Sequence, residues 1–381
     1  MESRMRILSV LSSSNQMDLG IGRTVFELSD RLRDRVQFEF AIDDGDERNL
    51  NIVKRFAEPR GLTVHVGRGR KRDESWDNGN EDLEELLGRG EWDAVECTYW
   101  GNSDTNETVL QNVGATTLIY TPHEQPAWTL PMGPIPAKNT ERIHNEVVRR
   151  ADVILCDSIH ERSQIQARAL GRNSAAFVPL GCDFRSFKAG NKERKQQLVF
   201  VGDPAEPRKR FDRVIGLFES LHAARPELRL VVIGNRSESA IECVPQSLQS
   251  ECDLLGYVDE ESLRRVYRES LGLVLLSDYE AFGIPLIEAL ASGTPVFLSD
   301  IAPTRSLFAS FCGAHFCPPD NASQTFEVVE QALERKRATL REVVIDHPRL
   351  EARFSWDVVA DQKWQLMTSA WTYRNRFRWC A

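Results

Sequence analysis

In residues 273–300, LVLLSDYEAFGIPLIEALASGTPVFLSD, several local signals follow one another. Residues 273–276 are an apolar run with the length of a buried parallel strand. A turn at 279–283 ends in Gly283. Residues 285–292 then read as a helix. Pro285 sits where its missing N–H costs nothing, and Gly293 follows the last turn as a left-handed cap. Residues 296–299 open the next strand. Strand, loop, helix, strand is the repeating unit of a doubly wound α/β fold.

Chemistry is expected at the loop of this unit, because open α/β sheets bind ligands beyond the carboxyl ends of their strands. Glu280 lies there. The backbone N–H groups of Phe282, Gly283 and Ile284 stand at the helix start, where they have no intrahelical acceptor and suit a phosphate. Glu288 follows eight residues after Glu280, in the first helical turn. Carboxylates are acceptors and grip paired hydroxyls well. A sugar on one side, a diphosphate at the helix start and a ribose on the other would satisfy all three groups.

The run E-A-F-G-I-P-L-I-E followed by A-L-A-S-G-T-P-V resembles the signature of the retaining GT-B glycosyltransferases of family 4, the glycosyl transferases group 1. The resemblance implies a GT-B fold: two Rossmann-like parallel-sheet α/β domains facing across a cleft. It gives Glu280 the transferred sugar, the amides of Phe282, Gly283 and Ile284 the distal phosphate, and Glu288 the ribose.

The composition fits this expectation. With 381 residues, the chain is long enough for two domains with separate cores. A net charge of −9 gives no reason to expect a nucleic-acid partner. Eight cysteines without zinc-like spacing read as reduced, mostly buried thiols of a cytoplasmic protein. The apolar run near the N-terminus is too short for a signal peptide, and no run approaches transmembrane length.

Taken in order, RILSVL at 6–11 is a first strand, and Gly20 and Gly22 precede a helical pattern beginning at Thr24. Glycines between a strand and a helix let a ligand approach the backbone. Alone they fit a plain tight turn, and they also resemble the family's glycine loop near the donor phosphates. An acidic loop at 43–47 contains the one D-x-D match, read as a turn. The basic GRGRKR at 67–72 reads as an exposed loop in preference to an anionic-acceptor site. The strand 116–121 runs into His123, at a strand end suited to chemistry. By resemblance His123 faces the donor sugar. Residues 125–136 are proline-rich and read as a mobile acceptor loop or a simple connection. Residues 180–183 resemble the hinge entry, and a charged stretch at 188–197 reads as the linker.

In the second half, residues 202–209 (GDPAEPRK) follow a strand and precede a helix. Arg208 and Lys209 there are placed to clamp a diphosphate. Lys209 matches the family's lysine. Asp203 stands where the family usually has arginine, which removes a phosphate cation. Tyr257 and Val258 resemble the family's loop near the nucleotide base. Residues 322–339 read as one helix, and the run after Trp356 resembles a terminal helix returning to the first domain.

The expected domains are 1–187 on the acceptor side, 188–357 binding the nucleotide sugar, and 358–381 as the returning helix and tail. The expected activity is a retaining, metal-independent, hexosyltransferase-type transfer. His123, Glu280 and Lys209 are the catalytic candidates. Gly20, Gly22, Arg208, Lys209, Tyr257, Val258, Phe282, Gly283, Ile284 and Glu288 are the donor-binding ones. No cofactor is expected beyond a UDP- or GDP-sugar donor substrate. A GT-B nucleotide-sugar epimerase and a weakened sugar-nucleotide-binding protein are the alternatives. The tail WTYRNRFRW at 371–379 either packs onto the first domain or touches an anionic membrane, bringing the enzyme to a lipid-linked acceptor.

Overall fold

The computed structural model describes residues 4–11, 20–42, 57–66, 83–99, 101, 103–124, 137–168, 174–190 and 194–378. The acidic loop at 43–47, the basic run at 67–72 and the proline-rich segment 125–136 lie outside them. The chain divides into two compact units, one made of residues 1–180 and 356–381, the other of 181–355.

The first unit is built on seven parallel strands: β1 (Met5–Leu11), β2 (Val36–Ile42), β3 (Thr63–Val66), β4 (Ala94–Thr98), β5 (Thr117–Thr121), β6 (Val153–Cys156) and β7 (Ser174–Phe177). Their order in the sheet is β3-β2-β1-β4-β5-β6-β7. The direction of winding therefore reverses between β1 and β4, a topological switch point. Helices α1 (Gly20–Leu32), α2 (Leu83–Gly88), α3 (Ser103–Asn112), α4 (Ala137–Arg150) and α5 (Ile159–Arg168) connect the strands. Ile7, Phe40, Ile119 and Ile154 are fully buried, as expected of strands covered on both faces. One strand departs from the apolar rule. Every residue of β4 is buried, and its sequence AVECT includes Glu96.

The second unit repeats the plan with six parallel strands: β8 (Gln197–Val201), β9 (Arg229–Ile233), β10 (Cys252–Leu254), β11 (Gly272–Leu275), β12 (Val296–Ser299) and β13 (Ala314–Cys317). The order is β10-β9-β8-β11-β12-β13, so the switch point falls between β8 and β11. Leu273 registers with Val199 across it. The helices are α6 (Phe211–Ala224), α7 (Glu260–Glu269), α8 (Ile284–Ala291), α9 (Ala302–Phe308), α10 (Ala322–Glu334) and α11 (Lys336–Phe354). Asp259 caps α7 by accepting the Ser262 amide, and Asn321 caps α10 by accepting the Gln324 amide. Residues 181–187 belong to this unit: the Cys182 amide donates to the Phe354 carbonyl at 2.8 Å.

Two expectations about local structure need correction. The stretch 322–339, read as one helix, breaks at Arg335, whose ψ of 20° departs from the helical value and ends α10. The Thr339 hydroxyl then donates back to the Ala332 carbonyl at 3.0 Å across the break. Gly20 and Gly22 do not precede α1 but form its first turn.

Helix α12 (Trp356–Arg378) completes the first unit. Trp356, Val359, Ala360, Lys363 and Met367 are buried along one face, at the spacing of a helical stripe. Near its end Arg374 pairs with Asp152 and donates to the Ala115 carbonyl. Part of the aromatic–arginine tail thus packs on the sheet's own unit, while Tyr373 is 68% exposed.

Candidate functional site

In the second unit the loops after β8 and β11 flank the switch point, and backbone bonding ties them together. The Asp278 amide donates to the Arg208 carbonyl at 2.8 Å. Arg210 and Arg213 both pair with Asp278, at 3.1 and 2.5 Å. These contacts bring Lys209 and Glu280, 71 residues apart, face to face.

Lys209 Nζ donates to Glu280 Oε1 at 2.6 Å, and Ser277 Oγ donates to the same oxygen at 2.7 Å. Arg208 reaches Glu280 Oε2 at 3.4 Å and pairs with Glu206. Lys209 and Glu280 are both buried. Burial would raise the Glu280 carboxyl. The Lys209 charge, then that of Arg208, with hydrogen bonds from Lys209 and Ser277, outweigh burial and hold it below its ordinary value. The pair is therefore a charged carboxylate neutralised by an ammonium.

Local sequence sets the geometry beyond Glu280. Phe282 is anchored in an aromatic cluster, 5.8 Å from Phe354 and 6.3 Å from Phe308 between ring centroids. Gly283 has φ of 87°, and a Cβ there would meet a Leu286 methyl at 2.7 Å. Only glycine fits without strain. Pro285 occupies the first turn of α8, and Gly293 ends it with φ of 75°. The bonds Gly293 N to Leu290 O and Thr294 N to Ala289 O complete a Schellman cap. Arg194 adds to this end of the helix, donating to the Gly293 carbonyl and the Thr294 hydroxyl.

Glu288 lies on α8 and is 2% exposed. The Tyr267 hydroxyl of α7 donates to its Oε2 at 3.2 Å. Tyr257, 69% exposed, and Val258 lie on the loop after β10, at the far edge of the sheet. That loop is tied to the one after β9 through Gly234 N to Gly256 O and Gly256 N to the Ser237 hydroxyl. Asp203 has a partner that the sequence reading did not name. Arg236, after β9, donates to its Oδ2 from Nε at 2.8 Å and from Nη2 at 2.6 Å. A cation therefore stands beside the position where the resembling family keeps one.

In the first unit, His123 follows β5 with a left-handed φ of 59°. Its Nδ1 is 2.8 Å from Asp157 Oδ2, after the neighbouring β6. Next to this pair Glu96 Oε1 accepts from Lys363 Nζ at 2.6 Å and from Thr121 Oγ1 at 2.8 Å. Glu96, Thr121, His123, Asp157, Lys363 and Thr24 line one small cavity. Gly20 and Gly22 lie in the first turn of α1.

Sequence reasoning named Lys209, Arg208, Glu280 and His123 but missed Ser277, Arg236, Tyr267, Asp157, Glu96 and Lys363. A signal existed for two of these: Asp157 ends a strand, and Lys363 occupies an apolar position of its helix. Among the described residues no group of His, Cys, Asp and Glu is placed to hold a metal ion. No described helix is long and apolar enough to cross a membrane.

Residues 183–347 match the family model "Glycosyl transferases group 1". The chain is 26% identical over 319 residues to a D-inositol 3-phosphate glycosyltransferase of Segniliparus rotundus, covering 73% of this chain and 67% of that protein. It is 27% identical over 205 residues to a phosphatidyl-myo-inositol mannosyltransferase of Mycolicibacterium smegmatis, covering 52% of each. The chain thus spans about half to two thirds of the length of these two relatives. Among solved structures, sucrose-phosphate synthase from Thermosynechococcus elongatus superposes with a TM-score of 0.75 at 17% identity, over 98% of this chain and all of that one. The Anabaena protein Alr3699/HepE, in complex with UDP and glucose, superposes with a TM-score of 0.76 at 13% identity, over 96% of this chain and all of that one. The fold is that of the GT-B proteins.

Proposed function

We propose that this chain, whose domain match and fold support a GT-B glycosyltransferase, transfers a sugar from a nucleoside-diphosphate sugar to an acceptor hydroxyl, with retention at the anomeric carbon. The observation that carries this reading is the buried Lys209–Glu280–Ser277 group. It sits between the two loops of a switch point and directly ahead of the helix that bears Glu288.

Each residue then has a task. The diphosphate lies against the amides of Phe282, Gly283 and Ile284, where the start of α8 favours negative charge. Lys209, with Arg208 beside it, offsets the charge that develops on the leaving diphosphate. Glu280 accepts from the transferred sugar and supplies negative charge near the carbon that becomes cationic. Glu288 accepts from the ribose. Tyr257 and Val258 bound the base, and His123 accepts from a sugar or polyol hydroxyl. Gly20 and Gly22 leave room for the ligand at the start of α1.

UDP- and GDP-sugars are the donors to test, the first because a structural neighbour holds UDP and glucose. Inositol phosphates and phosphatidylinositol are the first acceptors, because two relatives are named for them. Cytoplasmic location, with the exposed part of the tail touching anionic lipid when the acceptor is lipid-linked, belongs to the same reading.

Replacing Glu288 by glutamine keeps its shape and removes its charge. Donor binding should weaken by about 1.5–3 kcal/mol, the worth of a hydrogen bond to a charged group. Calorimetry with the donor reads this directly. Unchanged affinity in a folded variant would remove Glu288 from the ribose.

Turnover should also survive a chelator. The proposed chemistry stabilises the leaving group with Lys209, Arg208 and backbone amides and routes nothing through a metal. If EDTA abolished activity and a divalent cation restored it, the phosphate account would be wrong.

A further inference from the structure

The pair His123–Asp157 has a geometry that goes beyond a sugar contact. Both side chains are almost fully buried, at 5% and 3% exposure. Asp157 is held from behind: its amide donates to Glu161 Oε2 at 2.8 Å, while the Glu161 amide donates to the Ser158 hydroxyl at 3.1 Å. This reciprocal arrangement fixes the start of α5 and with it the Asp157 backbone. Burial, and then the neighbouring Asp157 charge, push the Glu161 carboxyl well above its ordinary value. On the other side His123 adopts its left-handed backbone, unusual for a residue with a side chain. Among the described residues, its Nε2 makes no hydrogen bond.

A carboxylate can only accept, so the neutral imidazole facing it must carry its proton on Nδ1. We propose that Asp157 is a positioning residue for His123: it fixes the Nδ1–H tautomer and so presents Nε2 as a hydrogen-bond acceptor to a hydroxyl of the bound sugar or polyol. The neutral ring in this state cannot donate to a phosphate or carboxylate from Nε2. The ligand group that a neutral His123 meets at Nε2 is therefore a hydrogen-bond donor, and on a sugar or polyol that donor is a hydroxyl. The identity of that ligand rests on the glycosyltransfer reading; the tautomer does not.

The experiment uses the full chain labelled with ¹⁵N in its histidines, with His123→Gln identifying the resonances. At about pH 8, above the ordinary histidine range, the wild-type ring should show a protonated Nδ1 and a bare Nε2. In Asp157→Ala the His123 proton should move toward Nε2, and kcat/KM should fall about 10–100-fold, the scale on which losing the orienting partner of a metal-bound histidine acts. A wild-type ring protonated on Nε2 overturns the proposal, even if the variant does not fold. An Asp157→Ala chain with wild-type turnover also overturns it. If the wild type turns over no sugar nucleotide at all, the glycosyltransfer reading fails, and the tautomer result still decides what Asp157 does.

Discussion

Lys363→Met is expected to destabilise the first unit by about 3–5 kcal/mol, the cost of leaving a buried ion without its partner. Lys363 lies in the middle of the buried stripe of α12, and its ammonium is 2.6 Å from Glu96 Oε1 in the centre of β4. Both side chains are under a tenth exposed. Methionine fills a similar volume, so the change isolates the charge. Burial alone would raise the Glu96 carboxyl. The Lys363 charge and hydrogen bond, with Thr121, outweigh that and hold it below its ordinary value. The sign of the pH effect follows. In the wild type the folded-state value is depressed, so this stability is present above the unfolded carboxylate range and is lost as pH falls through the folded value. In Lys363→Met burial goes unopposed by Lys363, Glu96 is more easily protonated in the folded state, and a neutral acid needs no counter-charge. The stability gap between the two proteins, measured by urea unfolding, should therefore narrow as pH is lowered. Pairing the change with Glu96→Gln should recover much of the loss. A gap below about 1 kcal/mol, the worth of an exposed pair, would show that the contact is not buried in solution.

Glu280→Gln is expected to lower turnover about 10²–10³-fold, the scale seen when one preorganised electrostatic partner is removed. Donor affinity should change far less. The glutamine side chain can keep the bond from Ser277 but no longer balances Lys209, 2.6 Å away and buried. If Glu280 faces the transferred sugar as proposed, the change also removes negative charge near the reacting carbon, an interaction that strengthens as positive charge develops. Single-turnover kinetics at saturating donor separates the two effects. Wild-type turnover in a folded Glu280→Gln protein would reduce Glu280 to a structural partner of Lys209.

The parts of this molecule that were legible in the sequence are those set by local chemistry. The turn at Gly283, the proline in the first turn of α8 and the glycine cap at 293 are each decided within a few residues. Both ends of that helix fell within one residue of where those residues placed them, although Glu288 lies past the first turn in which it was expected. Gly20 and Gly22 misled for the same kind of reason: glycine reads as loop locally, and only the surroundings of α1 make it helical. The break at Arg335 carried no proline or glycine to mark it. Contacts between distant strands were the least legible. His123 and Asp157 stand at the ends of β5 and β6, and nothing in either segment says that these strands are neighbours. Lys363 and Glu96 are 267 residues apart. The apolar spacing of Trp356, Val359, Ala360 and Met367 placed Lys363 on the buried face, but the carboxylate it meets depends on how the chain returns to its first unit. Asp203 read as a lost phosphate cation because Arg236, from the loop after the next strand, was invisible until β8 and β9 were seen side by side.

The reading of this chain as a transferase stands or falls on the release of nucleoside diphosphate from UDP- and GDP-sugars, followed with and without inositol-type acceptors. The account predicts release that depends on acceptor, with the sugar recovered on the acceptor in its original anomeric configuration, and loss of both in Glu280→Gln. A donor that binds yet releases no nucleoside diphosphate with any acceptor, or that returns as a nucleotide bearing a changed sugar, would contradict it.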